Sequence, residues 1–152
     1  MEYGSIEREI YVDASPEIVF DVVSRPEHVQ RWWPDEADYS LVPGAAGRIS
    51  FGEKSETFTV VDVRPHRSFA FRWTHPEGEA AAQGNSFLVA FDLTPQGDGT
   101  LLRMSETGFR ERGWSEAVAE EAWRDHVSGW DFFLPRLAPY AGTLRAEVNT
   151  RP

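Results

Sequence analysis

Residues 6–13 alternate in character: Ile6, Arg8, Ile10 and Val12 interleave with Glu7, Glu9, Tyr11 and Asp13. A period of two predicts a strand with Ile10 and Val12 turned inward. Ser15, Pro16 and Glu17 then form a helix start, as N-cap, first helical residue and acidic partner of the helix dipole. The pattern predicts one short helix over 16–24 and a second from Pro26 to near Trp32-Trp33, stopped by Pro34. Further strands are expected over 48–52 and 56–63, joined around Glu53-Lys54-Ser55. Phe69, Phe71 and Trp73 share one face of a strand over 68–74, and Phe87, Val89, Phe91 and Leu93 share one face of a strand over 86–94. Gln96-Gly97-Asp98-Gly99 predicts a tight hairpin into a last strand over 100–107. Between the last two strand pairs, 75–85 is a loop of small and polar residues.

Beyond residue 115 the period changes. Ala119, Trp123, Val127, Trp130, Leu134 and Leu137 recur at spacings of three and four, the signature of one helical face. Ser115 caps the start, Pro135 predicts a kink, and Gly142 is expected to end the helix, leaving 143–152 as a tail. Strands interrupted by two short helices and closed by a long one define an α+β fold of a single domain over 1–142.

Composition narrows the function. The 152 residues carry a net charge of −10, which disfavours nucleic acid and anionic membranes as partners. With no cysteine there is no disulfide, thiolate nucleophile or thiolate metal site. No apolar stretch approaches the roughly 20 residues that span a bilayer, and the N-terminus has no signal-peptide pattern. A cytoplasmic, soluble protein without membrane insertion is expected.

The motif Val12-x-Ala14-Ser15-Pro16-x-x-Val19-Phe20, followed by Trp32-Trp33, resembles the opening of the SRPBCC (START-like, helix-grip) superfamily. Ser105-Glu106-Thr107-Gly108-Phe109 and the later Gly129-Trp130 are similar to the heat-shock-protein-90 ATPase activator homologue family within it. The resemblance spans 6–140. It implies a curved antiparallel sheet of about six or seven strands wrapped around the long C-terminal helix, with a cavity between them.

Catalytic signatures are scarce. His28, His66, His75 and His126 form no zinc motif, no nucleophile elbow is present, and Gly52-Glu53-Lys54-Ser55 lacks the upstream glycine of a phosphate loop. No metal or cofactor is expected. What remains is an aromatic interior. Phe58, Phe69, Phe71, Trp73, Phe87, Phe91, Trp123 and Trp130 either fill a core or line a ligand cavity. Of the pair Trp32-Trp33, one packs under the short helices and the other, next to Pro34, stands at a cavity mouth. Trp130 is expected to project toward Phe71, Trp73 and Phe91, with Gly129 letting the helix approach the sheet closely. Arg72, Asp92, Arg103 and Glu106 alternate with apolar neighbours and are expected on the solvent face as cross-strand pairs; Glu106, which shares parity with Leu102 and Met104, is the alternative candidate for an inward carboxylate. His126, at the edge of the helical apolar face, is either a half-exposed histidine or a polar group of the cavity. The candidate ligand-binding set is therefore Trp33, Phe58, Phe71, Trp73, Phe91, Glu106, Trp123, His126 and Trp130. The loops over 43–47 and 75–85 are either plain surface or a gate.

Three functions compete. The first is a binding protein, monomer or homodimer, that holds a small apolar or amphipathic molecule (lipid-like, isoprenoid or polyketide-like) without covalent chemistry. The second is a cyclase- or aromatase-type enzyme using the same cavity, with Glu106 and His126 as its available acid and base. The third, implied by the family name, is a module that stimulates a chaperone ATPase. That activity is expected of members with an additional N-terminal domain, for which this chain has no room.

Overall fold

The structure, a computed structural model, describes residues 4–150. Seven strands form one antiparallel sheet: β1 (Ser5–Val12), β2 (Glu36–Asp38), β3 (Ala46–Phe51), β4 (Lys54–Arg64), β5 (Ser68–Trp73), β6 (Phe87–Gln96) and β7 (Gly99–Thr107). Their order across the sheet is β1-β7-β6-β5-β4-β3-β2. Strands β2 to β7 therefore follow one another as a meander, and β1 closes the far edge beside β7. The chain crosses from one edge to the other through α1 (Pro16–Ser24) and α2 (Pro26–Val29). Helix α3 (Glu116–Phe133), a 3-10 turn (Leu134–Arg136) and α4 (Leu137–Thr150) complete the α+β, helix-grip-like fold.

Local chemistry sets these boundaries. Ser15 Oγ accepts the Ile18 N–H at 3.3 Å and Pro16 opens α1, as expected. Helix α1 buries Val19, Val22 and Val23. The second helix is shorter than the pattern suggests: it stops at Val29, and turns carry the chain to Trp33. Trp32 packs beneath α1, its Nε1–H donating to Val22 O at 2.9 Å. Tyr39, after β2, donates its hydroxyl to Ser24 O at 2.6 Å and stacks on Phe58 with ring centroids 4.3 Å apart. In the hairpin joining β6 and β7, Gly97 takes the positive φ of +59° that the tight turn requires.

Strict alternation places Phe69, Phe71 and Trp73 of β5, and Phe87, Val89, Phe91 and Leu93 of β6, on the buried face. Alternation breaks once, at a bulge between Val60 and Asp62 of β4 that leaves Val61 exposed. A bulge bends its strand and increases the local twist, which helps the sheet curve around the helix.

The long helix is interrupted at Pro135, as expected, and departs from expectation at Gly142. Pro135 has no N–H to donate, and the chain answers with the 3-10 turn rather than a continuous α-helix. Gly142 does not end the helix, because α4 continues to Thr150. Its partners explain the extension: Tyr140 bonds His28 Nδ1 at 2.6 Å, Ala141 is buried, Leu144 packs on the core, and Arg145 pairs with Asp13 at 2.7 Å. The segment 143–150 is thus helix rather than loose tail, while Arg151 and Pro152 lie outside the described residues. Among the described residues no helix is long and apolar enough to cross a membrane.

Candidate functional site

Glu106 organises the interior. The parity of β7 that buries Leu102 and Met104 also buries Glu106, which has no exposed surface. An unpaired carboxylate in such a place would be strongly unfavourable. Three donors converge on it instead. Trp73 Nε1–H from β5 donates to Oε2 at 2.8 Å, and Trp130 Nε1–H from α3 donates to Oε1 at 2.8 Å. His126, one helical turn before Trp130, places Nδ1 2.8 Å from Oε1. A carboxylate offers about four acceptor sites, and three are occupied here. Hydrogen bonds to such a group are each worth about 1.5–3 kcal/mol net.

Above this cluster lies a cavity of about 250 Å³ between α3 and the sheet. Trp33, Trp73, Trp130, Phe51 and Phe133 give it aromatic walls, and His126 contributes a polar face. Trp33 stacks on Trp130 with centroids 4.9 Å apart and meets Trp73 edge-on at 5.2 Å. Lys54, Glu56 and Asp125 supply polar groups around it, with Lys54 Nζ 3.4 Å from Glu56. Larger hollows exist, such as one of about 400 Å³ lined by Glu7, Arg8, Glu9, Asp92 and Arg103. That one is bounded mostly by charged surface side chains, whereas the Trp-lined cavity combines apolar walls with convergent polar groups, the usual character of a small-molecule site.

Thr74 also lines the cavity, with φ of +64°, a strained value for a β-branched residue. Arg112 Nη2 donates to its hydroxyl at 2.7 Å and helps hold it there. The Arg112 guanidinium lies over Phe87 at 4.6 Å and Trp114 at 4.9 Å. Burial pushes its pKa down, against an opposing pull from Glu56.

Gly129 reverses an expectation. A side chain built at Gly129 would meet nothing within 4 Å, so the glycine does not serve close approach of helix to sheet. It leaves space open in the cavity wall. The other predicted residues divide. Trp33, Trp73, His126 and Trp130 line the cavity, and Glu106 anchors three of them from below. Phe58, Phe71 and Phe91 do not line it; they are core side chains with at most 1% exposure. Trp123 does not line it either: its Nε1–H donates to Ser5 O at 2.8 Å, tying α3 to the start of β1. The sequence reading missed Phe51 and Phe133 as wall residues. The spacing of 126, 129, 130 and 133 was a second helical stripe, one position away from the apolar stripe chosen.

A curved sheet closed by a long helix over an aromatic cavity defines a helix-grip domain of the START-like type. The chain belongs to the family of Activator of Hsp90 ATPase homolog 1-like proteins, whose family model matches residues 13–141. Solved structures share the fold. Protein MLL2253 from Mesorhizobium loti is 20% identical with a TM-score of 0.75, the match covering 91% of this chain and 97% of that one. The Aha1 dimer from Colwellia psychrerythraea, solved in solution, is 19% identical with a TM-score of 0.69, covering 88% and 92%; the family thus includes dimers. DynU16, from the dynemicin biosynthetic locus, is 23% identical with a TM-score of 0.70, covering 92% of this chain and 48% of that one. No curated protein matches the sequence.

Proposed function

We propose that this protein binds a small, flat, apolar or amphipathic molecule in the Trp-lined cavity, noncovalently, as a cytoplasmic monomer or homodimer. The observation that carries this reading is the open volume beside Gly129, facing three tryptophans and a histidine held in place by a buried carboxylate. A domain with only a packing role for these side chains would gain stability by filling that volume. The link of DynU16 to a biosynthetic locus makes a polyketide-like or other aromatic natural product the first class to try.

Tryptophan fluorescence tests the reading, since Trp33, Trp73 and Trp130 all face the cavity. Titration with a panel of polycyclic aromatics, isoprenoids and fatty acids should shift emission for at least one class. The Gly129→Leu variant should remain folded and lose that response, because its side chain enters the cavity. An unshifted spectrum across the panel, with no thermal stabilisation, would overturn the reading.

A further inference from the structure

The cavity wall holds one group whose chemistry packing leaves unused. His126 commits Nδ1 to Glu106, while its Nε2 makes no hydrogen bond among the described residues. Glu106 already accepts from Trp73 on one oxygen and from Trp130 on the other. Toward His126 Nδ1 the carboxylate is an acceptor, so the shared proton sits on Nδ1, and in the neutral ring Nε2 carries a lone pair. Trp73, Phe87 and Phe109 surround the ring, with centroids 5.4, 4.5 and 5.3 Å away, and fix its plane. The side chain keeps 14% of its surface exposed, in the wall of the cavity. A carboxylate that orients an imidazole in the wall of a ligand space is the arrangement of a general base.

The chemistry of the walls selects the ligand. Flat aromatic surfaces of Trp33, Trp73 and Trp130 favour an aromatic ring. A free lone pair calls for a hydrogen-bond donor on that ring. A carboxylic acid would meet Glu56 and Asp125 near the cavity and Glu106 behind it. Building on the cavity reading above, we propose that His126 Nε2 accepts the proton of a phenolic ligand, with Glu106 as its positioning residue. In that step the phenolic O–H bond breaks, its electron pair stays on oxygen, and an Nε2–H bond forms. Glu106 neutralises the resulting imidazolium, and the phenolate remains bound against the aromatic wall.

Two probes separate this inference from the reading beneath it: para-nitrophenol, whose phenolate absorbs in the visible, and para-nitroanisole, the methyl ether that lacks the proton. The measurement is made below the pH at which free para-nitrophenol ionises. Charged groups around His126 are Glu106 from β7, Asp125 from α3, Lys54 and Glu56 from β4, and Arg112 over Phe87. The pH profile is therefore compared between variants that preserve all of them except the one replaced.

The native protein should bind the phenol about tenfold or more tighter than the ether, with the phenolate band visible. His126→Asn keeps a donor for Glu106 but has no basic nitrogen. It should lose the band and bind phenol and ether alike. Glu106→Gln should weaken the band in the same way; if that variant fails to fold, His126→Asn decides alone. Equal affinity for both probes without a band in the native protein, or a band that survives in His126→Asn, would overturn the proton-acceptor role and leave the cavity standing. Failure of both probes to bind the native protein would count against the cavity itself.

Discussion

A carboxylate without exposed surface stands only where donors surround it, and Glu106 draws them from two elements distant in sequence. Its inward direction was only half legible: it shares parity with Leu102 and Met104, but a charged residue on a strand is expected to face solvent unless donors that the linear chain does not reveal surround it. Its partners were not legible as partners, because nothing in a linear chain records that residues 73, 126 and 130 meet. Tyr39 shows the same limit on a smaller scale. Its hydroxyl reaches Ser24 O, and burial raises its pKa above the ordinary tyrosine value. A raised pKa means that the folded state prefers the protonated phenol. This contribution is intact below the unfolded-state value of about 10 and is lost as pH rises beyond it. The Tyr39→Phe variant should therefore lose about 1 kcal/mol of stability at neutral pH, through the missing hydrogen bond. The gap to the native protein should narrow in alkaline solution, as denaturant midpoints measured across pH will check.

At the level of elements, caps and periods were the readable features. Ser15-Pro16 began α1 where expected, Ser115 accepts the Val118 N–H at 3.3 Å at the start of α3, and β5 and β6 followed their alternation. Strand β2 escaped notice because three residues, Glu36–Asp38, are too short to show a period. The end of the helix was misplaced because Gly142 is a common stop signal, yet tertiary contacts of Tyr140, Ala141 and Leu144 carry α4 past it. Gly129 yields a prediction of its own. Glycine within a helix is less favourable than alanine by about 1 kcal/mol, and a methyl group here meets open space. Gly129→Ala should raise stability by about 0.5–1 kcal/mol in urea unfolding. A decrease would mean that the helix and sheet approach more closely at this point than the structure has them.

For the whole molecule, the fold class followed from the order of strands and helices, and the seven-stranded sheet closed by the long helix bears it out. The cavity did not follow, since the aromatic stripes of a packed core and of a lined hollow read alike. Ligand binding would register globally. A ligand that prefers the native state stabilises it by about 2.7 kcal/mol at about 100 times its Kd. For a chain of this size that corresponds to a rise in Tm of about 5–10 °C. Calorimetry with and without the best ligand from the fluorescence panel should show that rise, and Gly129→Leu should abolish it without lowering the Tm of the free protein.

The four-residue cluster of Trp73, Glu106, His126 and Trp130 also carries an evolutionary consequence. One acceptor serves three donors, so replacing Glu106 by an apolar residue leaves all three without it, replacing Trp73 leaves Oε2 without its donor, and replacing His126 or Trp130 removes one of the two bonds to Oε1. Single steps away from the arrangement are unfavourable, whereas Phe58, Phe71 and Phe91 can drift among apolar residues of similar volume. Descendants of this chain should therefore inherit the quartet whole or lose it whole, and lineages that have lost it should have changed ligand as well.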